Sequence, residues 1–403
     1  MFIQVYMSHH WQQLSDRTKE MNFFVILFLI FIQDIGNHYM HRTDFRINTT
    51  YQTESFKLCT PILERYRHLK SNYFIAINLH NNDKIIPHLL SNILEISNYI
   101  GSSHLFISIV ESGSDDGTKE SLDHMRVFLS LKKINYKIET SPFALEHTNA
   151  SRIEYLSYFR NEAMNPFYNN ELHVNNIDID SILFINDILF CPNDVFELIY
   201  QRRLNNASVV SGLDYWYHNK KCCQFYDTWV AIDTSGRHLR ANCNDDLYWN
   251  DKDTKNGQMQ QLPIQMMSTW NGMAVLNPKP FLEGVRFRKG LNSFKGMIAA
   301  PGECSGSECQ TLCFDFIKSG YSRIMIVPRV KVAYNIHDYK ALAIEFDRNK
   351  PFIEEESVKI DWRPFPSQFI CQPYLSGHRG RDRSNFEYLE HLPSHVSPIE
   401  SIN

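Results

Sequence analysis

An apolar run from Ser181 to Ile185 (SILFI) leads straight into Asn186 and Asp187, and then into Ile188, Leu189 and Phe190. In open α/β sheets, ligands bind beyond the carboxyl ends of the strands. A hard divalent cation needs only one or two carboxylates there, because phosphate and water take its remaining positions. Asp187 is the candidate metal carboxylate, with Asn186 offering a neutral amide oxygen; the alternative is a carboxylate that simply caps a strand. The literal Asp-x-Asp, Asp178-Ile179-Asp180, comes before the run and is at the wrong end for this chemistry. Arg152 and Arg160 stand eight residues apart on a helical pattern upstream, on roughly one face. Their guanidinium forks suit phosphate oxygens, with surface ion pairs as the alternative.

Two earlier apolar runs end in polar turns. The first opens into Asn78-Leu79-His80-Asn81-Asn82 and the second into Glu111-Ser112-Gly113-Ser114-Asp115-Asp116-Gly117-Thr118. The glycines allow tight turning, and the carboxylates and hydroxyls could hydrogen-bond a nucleoside base and ribose. Asn78, His80, Glu111, Ser112, Gly113, Ser114 and Asp116, with Arg152, are the candidates for that role, although any surface turn can read SDDGT. Asp214, Asp227 in QFYDTWV and the triplet Trp270-Asn271-Gly272 follow. The tryptophan with its Asn-Gly could stack and hydrogen-bond a sugar, or form a buried turn. Glu308 opens a helical pattern, as a first-turn carboxylate favoured by the helix dipole or as a group facing a sugar.

These residues need a scaffold, and its elements alternate. Strand-like runs lie at Asn72 to Leu79, Leu105 to Val110, Tyr136 to Glu139, Ser181 to Ile185 and Ala207 to Ser211. Helical spacing occupies Ile85 to Tyr99, Lys119 to Lys132, Ser151 to Met164 and Asp194 to Arg203. Alternation with short apolar strands implies an α/β fold, with a mostly parallel central sheet and helices on both faces.

The 403 residues divide on this reading into an N-terminal segment 1–20, a hydrophobic segment 21–33, a polar stem 34–70, a folded domain 71–340 and an irregular tail 341–403. The apolar run Phe23 to Ile32 follows Arg17 and Lys19. It is short for a spanning helix and fits the core of a signal segment or signal-anchor, placing the rest of the chain across the membrane. Sequons at Asn48, Asn149 and Asn206 agree with a lumenal chain. Nine cysteines imply some pairing in an oxidising compartment with at least one left over. Cys304, Cys309 and Cys313 lack zinc-site spacing and read as disulfide or core residues. A formal charge of 41 − 45 = −4 argues against a nucleic-acid binder.

Ten segments in order resemble the fungal capsule-associated α-1,3-mannosyltransferase family of the cryptococcal type. They are FIAINLHNN, IVESGSDDGT, RIEYLSYFRNEAM, LFINDILFCPNDVFEL, SGLDYW, FYDTWV, STWNGMAVL, VRFR, ECSGSECQTLC and VPRVKVAYN, spanning about residues 72 to 335. The resemblance implies a GT-A-like fold and GDP-mannose as the donor. It also implies retention of anomeric configuration, a divalent metal (Mn, or Mg), and a type II Golgi or ER membrane topology. The short hydrophobic segment leaves secretion after cleavage open. Asp187 takes the place of the family's metal aspartate, and His337, after the VKVAYN strand, is the candidate late histidine of the metal shell.

The implied chemistry moves mannose to a mannoside hydroxyl on a glycan acceptor. Asp187 with its metal, and Arg152 or Arg160, would stabilise the departing diphosphate. If a double displacement operates, Glu308 or Asp214 would be the nucleophile. Asp227, Trp270, Asn271 and Gly272 would bind sugar. Two rivals are a lumenal glycan-binding or assembly protein that kept the fold and lost turnover, and a glycoside hydrolase using a pair such as Asp227 and Glu308.

Overall fold

A computed structural model describes residues 58–141, 152–171, 178–218, 222–240, 255, 257, 260–290, 303–304, 306–346, 359–373 and 388–391. The hydrophobic segment 21–33 and the sequons at Asn48 and Asn149 lie outside the described residues. Among the described residues no helix is long and apolar enough to cross a membrane.

Four strands form one half of the central sheet: β1 (Tyr73–Leu79), β2 (Leu105–Glu111), β3 (Asn135–Thr140) and β4 (Ser181–Ile185). They lie in the order β3-β2-β1-β4, all parallel. The other half holds β5 (Val209–His218), β6 (Cys222–Phe225), β7 (Ile232–Asp233), β8 (Ile264–Ser268), β9 (Met273–Leu276) and β10 (Ile324–Ala333). Here β9 inserts antiparallel between β4 and β5, β10 runs parallel to β5, β8 and β7 follow beyond β10, and β6 pairs with β5. Only β6, β8 and β9 oppose the common direction, so the expected mostly parallel sheet is present.

Each central strand reads as a continuous apolar run because both its faces are covered. Along β1, Phe74 and Ala76 enter one core while Tyr73, Ile75 and Ile77 enter the other. Helices α1 (Ile86–Ile100), α2 (Thr118–Leu131) and α4 (Pro192–Leu204) cover the second face through Ile93, Met125 and Phe196. Helices α3 (Arg152–Tyr168), α6 (Glu308–Lys318) and α7 (Ile336–Glu345) cover the first through Ala163, Phe316 and Leu342. A short turn of helix, α5 (Lys279–Leu282), adds Phe281 to that side. Where β5 passes β10, a Cβ on Gly212 would lie 2.6 Å from the Val330 carbonyl oxygen, so only glycine allows the approach.

Two expected boundaries are corrected. The last part of the stem is docked: Tyr66 and Leu69 are fully buried, and the Tyr66 hydroxyl donates to Glu197 of α4 at 2.7 Å. A Cys59–Cys191 disulfide ties the same segment down. The tail is likewise structured in part. Helix α7 crosses residue 340, and Trp362 donates its indole N–H to the Asn205 carbonyl. Strand β11 (Gln368–Cys371) pairs with β12 (Tyr388–His391). These segments are held by contacts to residues distant in sequence, which leave no periodicity behind.

Of the clustered cysteines, Cys304 pairs with Cys371, while Cys309 and Cys313 are buried thiols. Cys222 is also disulfide-bonded, and Cys223 is a buried thiol. If the Cys304–Cys371 bond secures the tail to the fold, Cys371→Ser should cost about 2–4 kcal/mol in denaturant unfolding, with reductant lowering the wild type toward the variant. A variant as stable as wild type would show the tail to be dispensable.

Candidate functional site

The carboxyl ends of β1 and β4, one face of α3, the start of α6 and the loop after β6 enclose a cleft of about 390 Å³. Asp187 lies on it, directly after β4. The strand end is held by backbone bonds, from Asn186 N–H to Gly272 O at 2.9 Å and from Leu189 N–H to Ala333 O at 2.7 Å. Gly272 has φ +82°, and a Cβ there would sit 3.0 Å from Ile188, so a larger residue would disturb the Asp187 turn.

Asp187 has one side-chain partner, the Asn82 amide at 3.3 Å, and no ion pair among the described residues. Burial pushes its carboxyl above the usual range, against the pull of Asn82, its own backbone N–H and the charges of Arg160 and His80. A desolvated carboxylate without a bonded cation fits a metal ion completed by phosphate oxygens. Among the described residues no group of three His, Cys, Asp or Glu could cage a metal without such help. His337 does not join Asp187. It is exposed on the first turn of α7, bonded to Asp338 and against Tyr217, and it is absent from the cleft wall. Asp180 of the early Asp-x-Asp is engaged by Arg202 and Arg203, as its position before the strand implies.

The two arginines of α3 both line the cleft, with different surroundings. Arg160 is buried: its Nε donates to Glu308 Oε1 at 2.9 Å and its Nη1 to Asn186 Oδ1 at 3.1 Å. Its guanidinium also lies over Trp270 at 4.8 Å and Phe184 at 5.0 Å. Arg152 is exposed and has no hydrogen-bond or ion-pair partner among the described residues.

Of the expected nucleoside-binding residues, Asn78, His80 and Ser112 reach the cleft. The Asn78 amide N–H donates to Phe159 O at 2.8 Å, and its buried Oδ1 has no partner. Glu111, Ser114 and Asp116 bond within their own turn and to residues 81–83, although the buried Glu111 Oε2 has no partner among the described residues. Glu111 accepts from Ser114 N–H, Ser114 from Asn81 N–H, and Asp116 from Asp83 and Thr118 N–H. Gly113, at φ +72°, makes that turn possible.

The sugar-binding expectations are also revised. Trp270 borders the cleft, but it is almost fully buried and packs on Phe184, Phe287 and Arg160, so it props the arginine. Asn271 and Gly272 do not line the cleft; Asn271 instead donates to Asp214 Oδ1 and Asp227 O. Asp227 does line it. Asp214 is fully buried behind that wall, accepting from the Tyr334 hydroxyl at 2.9 Å and the Asp227 N–H at 3.2 Å, and so cannot attack a sugar. Glu308 faces the cleft, but Arg160 Nε and the Ser307 hydroxyl occupy its two oxygens. Cys309 is no nucleophile either, because burial pushes its thiol well above its ordinary value.

Sequence reasoning missed Asn82, Tyr155, Trp229 and Tyr334 as site residues. Tyr155 carried a usable signal, standing three residues after Arg152 on the same helical face. The other three come together only through the fold.

A family model described as cryptococcal mannosyltransferase 1 matches residues 72–315. The chain belongs to that family. It is 29% identical over 331 residues to an alpha-1,3-mannosyltransferase of Cryptococcus neoformans var. neoformans, covering 76% of this chain and 69% of the relative. Among solved structures it is similar to a Pyrobaculum calidifontis mannosyltransferase in complex with GDP-Man and Mn2+, at 12% identity and TM-score 0.38, over 74% of this chain and 67% of that one. It is also similar to S. aureus TarS residues 1–349, at 11% identity and TM-score 0.38, over 68% of this chain and 64% of that one.

Burial and the nearby Asp227 charge push Asp214 from an ordinary value of 3.8 up to about 7. Between those values the folded chain holds a proton that the unfolded chain has lost, so stability falls as pH rises through this window. Asp214→Asn should remove that slope and melt roughly a few degrees above wild type at pH 7.5. Parallel melting curves for the two proteins from pH 5 to 7.5 would refute the assignment.

Proposed function

We propose that this chain, a mannosyltransferase by family, moves mannose from GDP-mannose to a mannoside hydroxyl on a GT-A-like fold, forming an α-1,3 linkage with retention. The observation that carries the reading is Asp187, a partly buried carboxylate without a bonded cation among the described residues, facing the same cleft as Arg152 and Arg160.

A divalent ion, Mn or Mg, held there by Asp187 would neutralise the diphosphate and stabilise it as a leaving group. Arg160, rigid in its buried ion pair, presents positive charge beside Asp187 with no reorganisation at the moment of bond breaking. Arg152 on the same helix face is uncommitted and suits the more solvated phosphate. Asn78, with its orphaned Oδ1, and Ser112 offer polar contacts for the nucleoside. No carboxylate nucleophile is required, since the leaving phosphate can take the acceptor proton on the same face.

A lumenal Golgi or ER location, with the N-terminal segment as anchor or cleaved signal, completes the proposal. Two lines support it: the disulfides Cys59–Cys191 and Cys304–Cys371, and the exposed sequon residue Asn206.

The test is GDP release and mannosyl transfer by the full chain, with and without Mn. Asp187→Ala should lose about 10²-fold or more of the metal-dependent rate with an unchanged melting curve. Arg152→Ala should raise the donor KM about tenfold, equivalent to 1.4 kcal/mol. Turnover by Asp187→Ala at the wild-type rate would sink the metal assignment. Consumption of UDP-sugars in place of GDP-mannose would overturn the donor.

A further inference from the structure

Three large aromatic side chains stand out as exposed among the described residues: Tyr158 at 50%, Trp216 at 41% and Tyr226 at 49%. One of them lines the cleft, and the other two each pack on a residue that does. Tyr226 lines it, and Trp216 packs edge-on against Tyr226 with ring centroids 6.0 Å apart. Tyr158 packs in the same way on the cleft residue Phe159, at 5.2 Å. Solvent-facing rings paired at the edge of a binding cleft, as Trp216 and Tyr226 are, mark a surface that meets a partner.

The β5–β6 hairpin builds the larger of these features. Tyr215 of β5 points into the core, so strand alternation turns Trp216 outward, opposite Gln224 of β6. Tyr226 follows β6 directly, and its N–H donates to Asp214 O at 2.9 Å. Its ring is backed by Tyr334 at 5.3 Å, and the Tyr334 hydroxyl is anchored on Asp214. The two exposed rings therefore form a supported ledge that runs outward from the cleft.

The chemistry of the ledge selects its occupant. Flat apolar faces with polar N–H and O–H tips match the C–H face and hydroxyl rim of a pyranose. Asp227, on the cleft wall behind it, disfavours an anion, whereas the cleft's arginines lie on α3. A diphosphate belongs with the arginines and a neutral polyol with the ledge.

We infer that Trp216 and Tyr226 form an acceptor subsite, holding a mannose ring of the glycan next to the one that receives the new sugar. This rests on the mannosyltransferase reading and extends it to the acceptor. It predicts that the protein recognises more than one acceptor residue.

The test is calorimetric titration of the full chain with α-1,3-linked mannotriose and with methyl α-mannoside, for wild type, Trp216→Ala, Trp216→Thr and Trp216→Phe. Thr suits an exposed strand position and guards against misfolding of the Ala variant. Wild type should prefer mannotriose. The Ala and Thr variants should bind it about three- to tenfold more weakly, erasing that preference, and Phe should retain it. Equal mannotriose affinity in wild type and Thr variant, or no preference in wild type, would overturn the subsite. GDP release from GDP-mannose by wild type with mannotriose present reports separately on the parent reading: its absence alongside a Trp216-dependent preference would refute the transferase and leave the ledge standing.

Discussion

The buried Arg160–Glu308 ion pair is the constraint around which the cleft is arranged. Arg160 comes from α3, Glu308 from the first turn of α6, and the second bond of the guanidinium goes to Asn186 at the end of β4. Three elements distant in sequence are thereby fixed beside Asp187. Removing two charges from water is expensive, and the pair is tolerated because its geometry is good and its surroundings add further contacts. Trp270, Phe184 and Phe287 surround the guanidinium, and the helix dipole favours Glu308 at its position. Such a pair specifies one arrangement more than it adds stability.

A second polar cluster holds the opposite wall. Asp214 gathers Tyr334, Asn271 and the Asp227 backbone, all within hydrogen-bond distance. Because Asp214 stands on β5 and those partners come from just after β10, the loop before β9 and the loop after β6, the cluster welds the antiparallel insertion to the sheet. The cleft thus lies between two buried polar knots. Asp187 is left between them as a desolvated carboxylate with only an amide for company. The contrast between satisfied carboxylates in the walls and an unsatisfied one on the surface they frame is what gives the site its chemical direction.

The turn expected to hold a nucleoside shows how a motif can border a cleft while most of its polar groups serve the fold. The segment from Glu111 to Thr118 does border the site, yet most of its polar groups face inward to stabilise a tight turn against residues 81–83. Buried polar atoms must be paired, and a turn packed under a loop uses its own side chains for that purpose. Only Ser112 remains on the cleft.

What the sequence determined by itself was local. Apolar runs placed β1, β2 and β4 within a residue of their observed limits, and helical spacing put Arg152 and Arg160 on the face that meets the cleft. Strand-end logic singled out Asp187 and dismissed Asp180. Tertiary structure decided which polar residues were spent on the fold and which were left for a ligand. Trp270, Asn271 and Asp214 look available in a linear reading, but each is committed to a partner far along the chain, while Glu111 spends one oxygen on its own turn. His337 is nearby in motif order and apart in space. Packing of residues 58–70 and 359–373 was equally invisible, since it depends on disulfides and single long-range hydrogen bonds. Periodicity reports the face an element buries; it holds no record of which distant side chain will satisfy a given polar atom.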